Sequence, residues 1–163
     1  MPRWAPVKSR PALAIAGALA VCGIGVSAYL LYTRWSGTQL YCTGLHSCTT
    51  VQSSPYADVA GVPVALLGLL FYCAALGGVV LSARSIEPGA WLVGTFALAL
   101  SAMLYSAYLT YLELRVINAV CVWCVVSAGL VAAIVAALLL ALLAEAGTPA
   151  ETVGIGSRRA GSR

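Results

Sequence analysis

Four apolar runs, each longer than 20 residues and free of Asp, Glu, Lys and Arg, constrain this chain before any motif does. They extend from Pro11 to Tyr32, Val62 to Ser82, Trp91 to Leu112 and Val120 to Ala144. At about 1.5 Å of rise per residue, each crosses a hydrocarbon core of about 30 Å as a helix. A soluble alternative fails on composition. The chain is 61% hydrophobic and 9% charged, against about 25% charged in ordinary soluble domains, so polar side chains are too few to cover a globule. The expected fold is an all-α membrane protein, a four-transmembrane-helix bundle over 11–144. Its helices lie near 11–32, 62–82, 91–112 and 120–144, with a cysteine-bearing outer loop at 33–61. Tails at 1–10 and 145–163 flank the bundle, the second expected to be disordered. The first run exceeds a signal-peptide core and shows no cleavage site before Tyr32, so it reads as a retained span.

The net charge of +4 does not point to nucleic acid, because the basic residues form short terminal clusters rather than an aromatic-bearing face. They read as an orientation signal. Arg3, Lys8, Arg10, Arg84, Arg158, Arg159 and Arg163 fall on one side of the four spans, and only Arg34 and Arg115 on the other. Seven against two puts both termini in the cytoplasm. The loop 33–61 and the link 113–119 then face outward. Trp4, Trp35 and Trp91 fall near the span ends, where amphipathic rings anchor to the interface.

Six cysteines follow this layout. Cys22 and Cys73 fall mid-span, where a thiol serves as a small apolar packing group. Cys42 and Cys48 lie in the outer loop, and Cys121 and Cys124 form a CxxC at the outer start of the last span. The compartment there is oxidising, so disulfides persist. In a helix beginning near Val120, Cys121 and Cys124 lie one turn apart on one face. The unpaired N–H groups and positive dipole end of that first turn favour a thiolate. Two pairs on one side make a relay: an external dithiol reduces the loop pair, and the loop pair reduces the CxxC by thiol–disulfide exchange. A terminal acceptor must then take two electrons and two protons. Within a membrane, and without a haem or flavin signature, a quinone fits that role.

The stretches "YCTGLHSCTTVQSSPYADVAGVPVALLGLLFY", from Tyr41 to Tyr72, and "YLTYLELRVINAVCVWCVVSAG", from Tyr108 to Gly129, resemble the bacterial homologues of vitamin K epoxide reductase. The resemblance runs from about Ser27 to Gly129. It implies a four-helix bundle around a quinone pocket at its outer end, in the cell (inner or plasma) membrane. It also implies oxidation of a thioredoxin-fold partner, with electrons passed to menaquinone or ubiquinone in support of disulfide bond formation. Carried across, Cys121 and Cys124 match the active-site pair, with Cys124 beside the quinone. Cys42 and Cys48 match the shuttle pair, with Cys48 meeting the partner and Cys42 attacking Cys121. Ser54 matches a family serine that hydrogen-bonds near the quinone or the reactive cysteine; its alternative is a turn residue beside Pro55. Leu67, Tyr105 and Trp123 complete the expected quinone contacts. Two positions depart from the human-type enzyme, Val64 where that enzyme has an asparagine and Ala128 where it has a tyrosine. Both changes weaken a case for epoxide reduction and leave quinone reduction. The chain reads as a stand-alone form without the fused thioredoxin-like domain of many relatives, so a separate DsbA-like protein is the expected partner.

Other residues carry weaker signals. His46, the single histidine, can tune a thiol but also suits a solvated loop. Tyr108 and Tyr111 share a helical register with Tyr105 and fit an aromatic belt. Glu113 and Arg115 mark the interface, and Gly77-Gly78 permits close helix approach. Two alternatives use the same cysteines without redox turnover. Cys42, Cys48, Cys121 and Cys124 make a four-thiolate zinc set, or their disulfides brace the outer loop of a structural membrane protein.

Overall fold

The structure, a computed structural model, describes residues 10–38, 51, 53–59, 61–85 and 87–146. Within them lie four long helices: α1 (Arg10–Ser36), α2 (Val64–Arg84), α3 (Pro88–Leu112) and α4 (Val122–Ala146). The shortest, at 21 residues, reaches about 31 Å. All four are long and apolar enough to cross a membrane, and the protein is an all-α four-helix membrane bundle. Local chemistry sets their ends. Gly37 follows α1 at φ +66°, a left-handed turn that releases the chain from the helix. Pro88 occupies the first turn of α3, where its missing N–H leaves no bond unmade.

Each helix packs mainly on two neighbours, α1 on α2 and α4, and α3 on the same two. Sequential helices run antiparallel, so the end of α1, the start of α2, the end of α3 and the start of α4 share one end of the bundle. With apolar residues on every face, the buried stripe is marked by size rather than by hydropathy. On α1 it reads Ala16, Ala20, Gly23 and Ser27, the small-residue spacing that lets helix backbones approach without solvent-driven collapse. A Cβ at Gly23 would collide with the Tyr72 ring, and one at Gly78 with the Thr95 hydroxyl. α4 supplies the bulk of the core with Val131, Ile134 and Leu138.

The segment before α2 adds a short antiparallel hairpin, β1 (Asp58–Val59) and β2 (Val62–Pro63), turning at Gly61 with φ +82°. Arg34 at the end of α1 pairs with Asp58 at 2.6 Å, which ties the hairpin to the bundle.

Several sequence expectations change here. Residues 33–36 belong to α1 rather than to the outer loop. The link after α3 is helical as far as Ile117: Glu113–Ile117 forms a π-helical turn that closes on Asn118 in the left-handed region. Asparagine tolerates that conformation better than most residues. Cys22 and Cys73 lie exposed on the outer surface of the bundle, because the smaller Gly23 and the larger Tyr72 next to them take the interface. Of Gly77 and Gly78, only the second meets a neighbour.

Candidate functional site

Between the helices, at the end shared by the hairpin and the start of α4, lies a cavity of about 180 Å³. Its wall is mostly apolar side chain, with Leu67 from α2 and Tyr105 from α3 on it. Polar groups enter at a few points, Ser54, Arg34, Glu113 and Cys124 among them. Val64 and Ala128, the two departures noted in the sequence, both line it.

The CxxC folds as a helix cap made of sulfur. The Cys121 carbonyl accepts the first bond of α4, from the Val125 N–H at 3.0 Å, which makes Cys121 the N-cap and Cys124 the third helical residue. A serine at an N-cap accepts from the N–H three residues on. Here the Cys121 Sγ does so, taking the Cys124 N–H at 3.4 Å. The spacing of the motif is therefore the spacing of a cap. The hydrogen bond between the two thiols is the main cause lowering the Cys121 pKa from its ordinary value, against burial and the Glu113 charge, which push upward. A lowered value means more thiolate at a given pH.

Glu113 completes the cap from outside the helix. In a capping box, a carboxylate at the third helical position reaches back to the N-cap N–H; that position is a cysteine here. Glu113, in the π turn, supplies the carboxylate instead, with Oε2 accepting the Cys121 N–H at 3.3 Å. The carboxylate is buried, with 5% of its surface exposed, and shares the cavity wall with Cys124.

Cys121 is fully buried, packed with Val51 among Ile117, Ala119, Trp123 and Cys124. Opposite the pair, the Tyr72 hydroxyl donates to the Ser127 carbonyl and meets its hydroxyl, both at 2.9 Å, linking α2 to α4 across the inner part of the cavity.

The structure brings Cys121, Cys124, Ser54, Leu67 and Tyr105 to this one end, the last four on the cavity wall. The Ser54 hydroxyl donates to the Val51 carbonyl at 2.7 Å, a local turn contact. Trp123 lies against Tyr29 of α1, ring centroids 5.1 Å apart and tilted by 55°, and is not among the side chains on the cavity wall. The register explains this, since Trp123 stands about 100° around the helix from Cys124, the cysteine on the cavity wall, and about 200° from Cys121. Tyr108 and Tyr111 face outward. Cys42, Cys48 and His46 lie outside the described residues, and so does any test of the four-cysteine zinc alternative. Sequence reading passed over Glu113 as an interface marker and gave Tyr72 no role. The available signal was a carboxylate eight residues before Cys121 in a segment otherwise nearly free of acids.

A dithiol capping a membrane helix at the rim of an apolar cavity defines a membrane thiol-redox protein. Residues 14–141 match the vitamin K epoxide reductase family, and the chain belongs to that family. It is accordingly a multi-pass membrane disulfide oxidoreductase of a quinone-linked family, seated in a lipid bilayer.

Proposed function

We propose that this protein reoxidises a separate, DsbA-like thioredoxin-fold partner and passes the electrons through two cysteine pairs to a membrane quinone. The observation that carries the reading is the CxxC itself: Cys121 is buried and Cys124 opens onto the apolar cavity. A folded partner cannot touch a fully buried sulfur, so an intermediary has to reach Cys121. The chain offers one. Val51 packs directly on Cys121, and Cys48 lies three positions before it in the chain, a span of at most about 11 Å. In the proposed sequence the partner's dithiol reduces a Cys42–Cys48 disulfide by exchange at Cys48. Cys42 then attacks a Cys121–Cys124 disulfide at Cys121, Cys124 leaves and takes up a proton, and Cys48 attacks Cys42 to release Cys121. The re-formed loop disulfide and the reduced CxxC complete the transfer of one electron pair.

A quinone supplies an acceptor for two electrons and two protons. Ser54, Leu67, Tyr105 and Cys124 are the residues we propose hold its ring, with Trp123 bracing the CxxC against Tyr29 from behind. The apolar side chains at Val64 and Ala128 add no polar hold. By the distribution of Lys and Arg, we place both termini in the cytoplasm and this end of the bundle outside.

The test is reduction of a quinone by the purified protein with a reduced thioredoxin-fold substrate. Cys121→Ala and Cys124→Ala should abolish turnover. Cys42→Ala and Cys48→Ala should block the protein substrate while sparing a small dithiol, which can bypass the loop. Full activity toward the protein substrate in all four variants would refute the relay.

A further inference from the structure

The one carboxylate on the cavity wall among the described residues sits against the CxxC, and the thiol-exchange sequence leaves it without a task. Glu113 accepts the Cys121 N–H at 3.3 Å and borders the cavity together with Cys124. A capping carboxylate usually sits in solvent; this one is buried, in a π-helical turn, a backbone irregularity that occurs often at functional sites. We propose that Glu113 is the proton carrier of the quinone-reducing step, taking the proton from the Cys124 thiol and delivering it to a quinone oxygen. This rests on the quinone reading above and deepens it.

The balance is as follows. Starting from the reduced pair, the Cys121–Cys124 bond forms and two electrons leave for the quinone. The Cys124 S–H bond breaks, and its proton passes to the Glu113 carboxylate and on to one quinone oxygen. Cys121 has given its thiol proton to water beforehand. The second quinone oxygen takes an equivalent proton from water. Glu113 ends as it began, a carboxylate.

The other ionisable groups on the cavity wall are not placed for this work. Arg34 from α1 is paired with Asp58, and a guanidinium does not accept a proton. Tyr72 from α2 is turned to Ser127. Tyr105 from α3 and Tyr56 before the hairpin are phenols rather than carboxyl groups. Arg115, two residues on from Glu113, is exposed and absent from the wall.

Glu113→Gln separates proton transfer from capping, because the amide oxygen still accepts the Cys121 N–H in the same volume. The measurement is single-turnover quinone reduction by protein already reduced with a small dithiol, across pH. General acid–base groups contribute about 10²- to 10⁴-fold, so the Gln variant should slow at least about 100-fold at neutral pH. Its rate should then climb about tenfold per pH unit as hydroxide takes over the thiol proton, a slope the wild type lacks. Glu113→Asp should recover part of the rate and flatten the profile. In quinone-free reduced protein, the S–H stretching band of Cys124 should shift between wild type and Glu113→Gln. An unshifted S–H band, or a Gln variant that matches wild type or slows with an unchanged pH profile, would overturn the proposal. If Glu113→Gln does not fold, an Asp variant equal to wild type in rate and in S–H band would overturn it equally. Wild type that never reduces quinone would instead sink the underlying function.

Discussion

Two glycines on one helix, two residues apart, are expected to respond to the same substitution with opposite signs. Gly25 has nothing within 4 Å of where a Cβ would stand, whereas a Cβ at Gly23 runs into the ring of Tyr72. Alanine in a helix interior is favoured over glycine by about 1 kcal/mol, so Gly25→Ala should be neutral or stabilising by up to that amount. Gly23→Ala gains the same propensity and loses more. Overpacking a close contact costs about 1–3 kcal/mol. The ring cannot swing aside freely, because its hydroxyl is held by two bonds to Ser127, each worth about 0.6 kcal/mol within a bilayer. The net is a destabilisation of about 1–3 kcal/mol, which separates the two variants by about 2–4 kcal/mol. Reversible unfolding in mixed micelles measures both. Tyr72→Leu removes the obstacle, and on that background Gly23→Ala should lose most of its penalty, a coupling of at least about 1 kcal/mol. Tyr72→Phe should rescue it only in part, since the tether to Ser127 is gone but the ring carbons that collide remain. Equal stabilities for the Gly23 and Gly25 variants would refute the close α1–α2 crossing on which the cavity wall depends.

Three further outcomes follow from the site. Alkylation of Cys121 should proceed at lower pH than for an ordinary thiol, and Cys124→Ala should move its pH midpoint upward, because the thiol hydrogen bond that chiefly lowers it is gone; an unmoved midpoint counts against that cause. Asp58→Asn should cost less than about 1 kcal/mol and lose its effect at high salt, since Arg34 and Asp58 are both partly solvated, with 27% and 36% of their side chains exposed. Trp123→Leu should lower thermal stability through the lost Tyr29 contact while changing the quinone KM little, whereas a large KM change with stability intact would put the indole back on the acceptor.

The four spans were legible because a bilayer demands length and apolarity, and both can be counted along the chain. The cysteine pair was legible because CxxC spacing is a helix-cap spacing. What escaped follows from the same solvent. With lipid outside, hydropathy no longer separates the packed face from the exposed one, so the sequence does not show that Gly23 and Tyr72, rather than Cys22 and Cys73 beside them, hold the interface. The direction of Trp123 cannot be read from its place between the cysteines, and one helical step from Cys124 turns it onto Tyr29 of α1. Glu113 was hidden by the habit of ending a span at its first charge. The helix continues past that charge through a π turn, and the carboxylate that looks like a boundary marker is folded inward.

That inward fold couples three requirements which would otherwise conflict. A dithiol that works with a lipid-soluble acceptor has to sit where water is scarce, yet a helix start leaves N–H groups unpaired and a thiolate there needs stabilising. Using the Cys121 sulfur as the cap satisfies one N–H and holds the sulfur's charge with the same bond. The Cys121 N–H is then the group left over, and burial makes it costly to leave unmet. Only a segment approaching from before the helix can reach it without crossing the cavity. The π turn and the left-handed Asn118 bend the chain back over that short distance, so that Glu113 meets an N–H eight residues ahead. A carboxylate placed there for the sake of the cap is, by the same geometry, within reach of Cys124 on the cavity side. Capping and proton handling thus demand the same position, which is why a buried acid is tolerable at this point of an otherwise apolar bundle.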